Sequence, residues 1–252
     1  MGLGQEITLT ARLSVRKVVW LLTLVTILLT IASFAGQVAT SLVGSPRLGM
    51  VARMFDVNRE ANIPTWYASA LLLVISLLLS LAAQREKRRG YALYWGVLAA
   101  VFLLLSLDEI SQFHERTIMP LRNAFELSGI FYHAWVIPGA VFVLAVALFS
   151  LRLLRSLEPK TRLRFMLAAF LYVGASLGIE LVEGFWDSHY DRDLVYVAIS
   201  TAEEFLEMSG LVVFIYALLI YLGDAGGQAA ISASSGQKAT VVSSGLRPEH
   251  RD

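Results

Sequence analysis

Seven carboxylates, Asp108, Glu109, Glu180, Glu183, Glu203, Glu204 and Glu207, sit within or at the ends of long apolar runs, and His114 and His133 stand close to such ends. Acids and imidazoles gathered in a partly dry place take up protons, hold a cation or pair with arginines, because bare like charges repel there. The chain has no cysteine, so a bound metal must use oxygen and imidazole ligands. Spacing groups the acids further. On a helix, Asp108, Ser111, Gln112 and Glu115 share one face; Ser176, Glu180, Glu183 and Asp187 share a second; Ser200, Glu203, Glu204, Glu207 and Gly210 share a third. A polar stripe on an otherwise apolar membrane helix faces the bundle interior rather than lipid, so the three stripes predict one shared pocket.

Ligand spacings narrow the chemistry. Carboxylate-bridged di-iron bundles need Glu-x-x-His, but Glu109 has Gln112 at that position, and His114 comes too late. His-Glu-x-x-His is absent, as are a phosphate-binding glycine loop and a Gly-x-Ser-x-Gly elbow. Membrane hydrolases of the alkaline ceramidase and adiponectin-receptor type carry a paired-histidine helix, and no His-x-x-x-His occurs here. The stretch Trp186 to Asp193 alternates oxygen and imidazole donors without the glycine and closing glutamate of a calcium loop.

The elements that must carry these residues are membrane helices. Of the 252 residues 56% are hydrophobic and 16% charged, and the mean hydropathy is +0.63. A soluble domain is about 45–50% apolar and about 25% charged. Six stretches, 18–36, 65–84, 91–110, 132–151, 164–184 and 197–222, are long and apolar enough to cross the hydrocarbon core. They predict an all-α integral membrane protein, a six-transmembrane-helix bundle over 18–222, with a basic cytoplasmic N-terminus over 1–17 and a disordered cytoplasmic tail over 223–252. No lysine lies within the predicted spans, which removes a retinal Schiff base. Arg85, Lys87, Arg88 and Arg89 join the second and third helices, and Arg152, Arg155, Lys160 and Arg162 join the fourth and fifth. Basic loops stay inside, so both termini are expected in the cytoplasm of a cell bounded by a bacterial plasma (inner) membrane. Trp66, Trp135 and Trp186 fall near the outer boundary, as an aromatic belt would. A net charge of +1 makes no case for a nucleic-acid partner. The partners expected are the bilayer and a lipid-like substrate.

Counting outward from the cytoplasmic ends puts the acids and His133 at one depth near the outer surface. The outer ends of the third and fifth helices are C-termini, where the dipole disfavours anions, so acids there are not expected to serve as caps; Glu203 and Glu204, near an N-terminal end, are candidates for capping. The inner halves of the helices hold no ionisable residue along a path, which disfavours a channel or transporter. The reading is an outward-facing pocket for a divalent cation. Its candidate ligands are Asp108, His114, His133, Glu180, Glu203 and Glu207, with Glu109 or Glu183 as general base for metal-dependent hydrolysis or transfer on a lipid-like substrate. Asp56, Glu60 and Asp187 are loop residues that could reach the same pocket. Two other classes stay open here: proton- or cation-coupled transport or sensing, and a structural or assembly protein whose acids pair with Arg53, Arg59, Arg116, Arg122 and Arg192.

Overall fold

The computed structural model describes residues 2–86 and 90–244, with side chains for 15–86 and 90–223. The expectations for the N-terminal stretch 1–17 and for the tail 223–252 fall largely outside the residues with described side chains. Six helical runs are long and apolar enough to cross a membrane. They are Val15–Val43 of α1 (Gly2–Val43), then α3 (Ile63–Arg85), α4 (Ala92–Ser111) and α6 (Val136–Ser156), the run Pro159–His189, and Leu194–Gly223 of α9 (Leu194–Ser244). The fifth is composite: α7 (Pro159–Val173), a π-helical segment (Gly174–Ile179) and α8 (Glu180–His189). Two short helices lie between spans, α2 (Pro46–Arg53) and α5 (Phe113–Phe125), and a 3-10 turn covers Gly129–Phe131.

Local chemistry sets several boundaries. Asn62 caps α3, its Oδ1 accepting from the Thr65 amide at 3.2 Å, and Pro64 fills the first turn, where its missing N–H costs nothing. The helix carrying Asp108 ends at Ser111 rather than running on, because Gln112 adopts the left-handed conformation (φ 56°, ψ 36°) and turns the chain into α5. This corrects the expected continuous face from Asp108 to Glu115.

α3 and α9 form the buried centre. Leu72, Ile75 and Leu79 meet Met208, Ile215 and Leu218 there, with α1, α4 and α7 packed around them. Trp95 is completely buried, stacked on Tyr221 at 5.0 Å and edge-on to Phe165 at 6.0 Å. Between α7 and α9 the approach is so close that a Cβ on Gly210 would stand 2.7 Å from the Tyr172 amide nitrogen. Lipid tails are as apolar as leucine, so such close backbone packing, rather than water exclusion, holds membrane helices together. Leu104, Leu148, Leu163 and Phe170 accordingly stay on the outside. α6 touches α4 and α7 only sparsely, and a long cavity runs between these helices and α9.

Candidate functional site

The π-helical segment begins at Gly174 and contains Gly178. A π turn inserts extra residues into the helix and re-aims everything after it. Glu180 opens α8 directly behind it, and Glu183 comes one turn later. Across from them Glu203 projects from α9. Carboxylate oxygens of Glu180, Glu183 and Glu203 lie within 4.8 Å of one another. Glu183 is 3% and Glu203 5% exposed, and the Glu203 Oε2 is buried with no hydrogen-bond partner. One imidazole faces this group. His133 Nδ1 makes an ion-pair contact with Glu180 Oε1 at 2.7 Å, and its Nε2 lies 3.2 Å from Asp187 Oδ2. Gly184 lets the His133 backbone sit against α8, since a Cβ there would be 3.2 Å from the His133 nitrogen.

A second cluster lies beside the first. Asp108 Oδ2 is 2.7 Å from His114 Nδ1, and its Oδ1 accepts from the His114 amide at 3.1 Å. Asp108 therefore does cap a helix, the first turn of α5, contrary to expectation: the break at Gln112 starts a new N-terminus within its reach. Burial alone would lower the His114 pKa, but the hydrogen bond and charge of Asp108, with Glu115 and Glu60 nearby, push it up to about 9. Glu60, from the loop before α3, joins His114 and Glu115 with ligand atoms within 4.8 Å. Burial, reinforced by the charge of Glu115, pushes the Glu60 carboxyl to about 7. Trp135 links the clusters: its ring centroid lies 4.7 Å from that of His114, and its indole N–H donates to Glu180 Oε1 at 3.0 Å. It points inward and does not serve in an aromatic belt, whereas Trp66, 68% exposed, faces out.

Both clusters open into one cavity of about 1060 Å³, whose lining includes Asp108, Glu109, His114, His133, Glu180, Glu183, Glu203 and Glu207. The convergence expected from the three stripes is thus present, but the eight residues do not form one ligand set. Glu183, considered as a base, stands inside the Glu180–Glu203 group, while Asp108 is committed to His114. Glu109 and Glu207 face the cavity outside both clusters and are charge neighbours of each other. Glu203 and Glu204 lie well inside α9, which begins at Leu194, so neither caps it. Among the described residues the arginine pairs are Arg59–Asp56 at 3.5 Å and Arg192–Asp187 at 2.8 Å, with both arginines more than half exposed. Such pairs contribute about 0–1 kcal/mol and leave Glu180, Glu183 and Glu203 without a guanidinium. The sequence offered Glu60 and Asp187 as residues within reach of the pocket, and both line it, whereas it gave no sign of Trp135 as an anchor.

Fold and site together define a multi-pass membrane protein with acidic and histidine groups that could hold a metal ion. The chain belongs to the family described as "Domain of unknown function (DUF8692)", whose match covers residues 21–222, all six spans in whole or in part. No curated protein and no solved structure matches it.

Proposed function

We propose that the protein binds a divalent cation at Glu180, Glu183 and Glu203 and uses it for hydrolysis or group transfer on a lipid-like substrate that reaches the cavity sideways from the bilayer. The observation carrying this reading is the gathering of the Glu180, Glu183 and Glu203 carboxylates within 4.8 Å of one another, with Glu183 and Glu203 buried. Three acids packed so closely in a low-dielectric site take up protons or hold a cation, and His133 supplies at most one positive unit. An all-carboxylate set with imidazole alongside suits a hard cation such as Mg²⁺ or Mn²⁺, or Zn²⁺ if the ring joins the coordination.

Bound there, the cation would polarise a substrate oxygen or lower the pKa of a water. The chain's own residues have separable tasks. Trp135 and His133 fix the Glu180 carboxylate, and Asp187 anchors the far side of the His133 ring. Glu109, lining the same cavity without belonging to either cluster, is the general base. His114, held by Asp108 and protonated at neutral pH, is the general acid for the leaving group. The protein acts in a plasma membrane with this site facing outward.

Elemental analysis of the detergent-purified protein tests the reading. Wild type should hold near-stoichiometric metal, Glu180→Gln and Glu203→Gln should lose it, and Glu115→Gln should keep it. A metal-free wild type of undiminished thermal stability would overturn the proposal in favour of proton-coupled or purely structural acids.

A further inference from the structure

The cavity extends well beyond the ionisable layer. Along α6 its lining runs from Gly139 through Phe142, Val146 and Ser150 to Leu154, one helical face in steps of three and four residues. At the helical rise of 1.5 Å per residue this face is about 22 Å long, against roughly 15 Å for half the hydrocarbon core. The opposite wall is Phe102, Phe165 and Phe214 from α4, α7 and α9. Every charged lining residue lies at the end holding the two clusters. In the other half Ser150 is a rare polar group, and its Oγ is buried without a partner. Water has too few partners along such a wall to fill it. Folded interiors do not keep voids of this size empty either. α6 stands apart from α4 and α7, so the sleeve has a side open to lipid.

From this we infer that the sleeve binds a single extended hydrocarbon chain, and that the substrate is a long-chain amphiphile whose polar head lies at Glu180, Glu183 and Glu203 while its tail runs toward Ser150 and Leu154. The inference rests on the site reading above and adds the substrate class and a length limit set by α6. The chain could belong to a detached single-chain amphiphile or to one leg of a two-chain bilayer lipid; the chemistry recognised is the same. Ala147, on the sleeve face of α6, and Leu148, 59% exposed on its lipid face, separate a sleeve effect from a general effect on the helix.

Thermal stability of the detergent-purified full chain is followed with saturated fatty acids and lysophosphatidylcholines of increasing length, and with diacyl phosphatidylcholines. Stabilisation should rise with chain length and stop rising once the tail fills the sleeve. Ala147→Phe should shorten the longest chain accepted and weaken its binding roughly tenfold, as a pocket one or two methylenes too short does. Leu148→Phe should leave the series unchanged. Ala147→Met offers a milder filling should the phenylalanine variant fail to fold. Response to single-chain probes alone assigns a detached amphiphile, and response to diacyl lipid as well assigns a bilayer lipid; both support the sleeve. Stabilisation indifferent to chain length, or an identical series in wild type and both Ala147 variants, would overturn it. Metal content read on the same samples keeps the two ideas apart. A length limit with no metal removes the cation but not the sleeve, and metal retained without a length limit does the reverse.

Discussion

Asp108 shows how one side chain can be read correctly in place and wrongly in role. Its depth and its inward face follow from the apolar run before it, but its partner follows from Gln112, whose left-handed backbone is not demanded by any glycine or proline. Through that turn Asp108 holds both the ring and the amide of His114. Hydrogen bonds to charged groups contribute about 1.5–3 kcal/mol each. Asp108→Asn should therefore lower the thermal midpoint and return His114 toward the ordinary imidazole pKa, readable by NMR of the ring protons. The sign in pH follows from linkage. A folded-state value of about 9 for His114 stabilises fully below the unfolded value near 6.5, and that contribution is lost as pH rises through 9. Glu60, raised to about 7, acts in the same direction, since its ionisation within the fold is disfavoured. Wild type should thus lose stability between pH 6 and 9 more steeply than Asp108→Asn. Equal slopes would mean that the pair contributes nothing to folding.

Among the elements, the π-helical segment has the most direct bearing on the site. Without it α7 would continue as a regular helix into α8, and Glu180, Glu183 and Asp187 would point elsewhere. Deleting Gly178 removes one residue from the segment and rotates all that follows by about 100°. The expected result is a folded protein that has lost its metal while keeping the Asp108–His114 pair. Retention of metal in that variant would show that α8 is oriented by its contacts with the 3-10 turn instead. The six spans were legible from length and hydropathy alone. What escaped was geometry set by tertiary contact. The inward turn of Trp135 depends on Glu180 from a distant helix, and the gathering of Glu60 with His114 and Glu115 depends on a loop folding over α5. Periodicity ranks faces, whereas such pairings need two elements placed at once.

At the scale of the whole molecule, charge is separated along the bundle axis. Arg85 bonds to the Leu222 carbonyl, bringing the end of α3 against α9 at the pole that also carries Arg152, Arg155 and Arg164. The carboxylates of the cavity lie toward the other pole, on the side of the connections that contain α2 and α5. On the proposed topology a negative-inside potential and the bias of basic loops would hold the arginine pole in the cytoplasm and turn the cavity mouth outward. Because the chain has no cysteine, single-cysteine variants report on this directly. Ser128→Cys, between α5 and the 3-10 turn, should react with a membrane-impermeant maleimide on intact cells, and Lys160→Cys, in the first turn of α7, only after the membrane is opened. The reverse pattern would invert the molecule. The sleeve would then draw its chain with the head toward the inner leaflet, and the dense acid layer would meet the cytoplasmic cation pool rather than the external one.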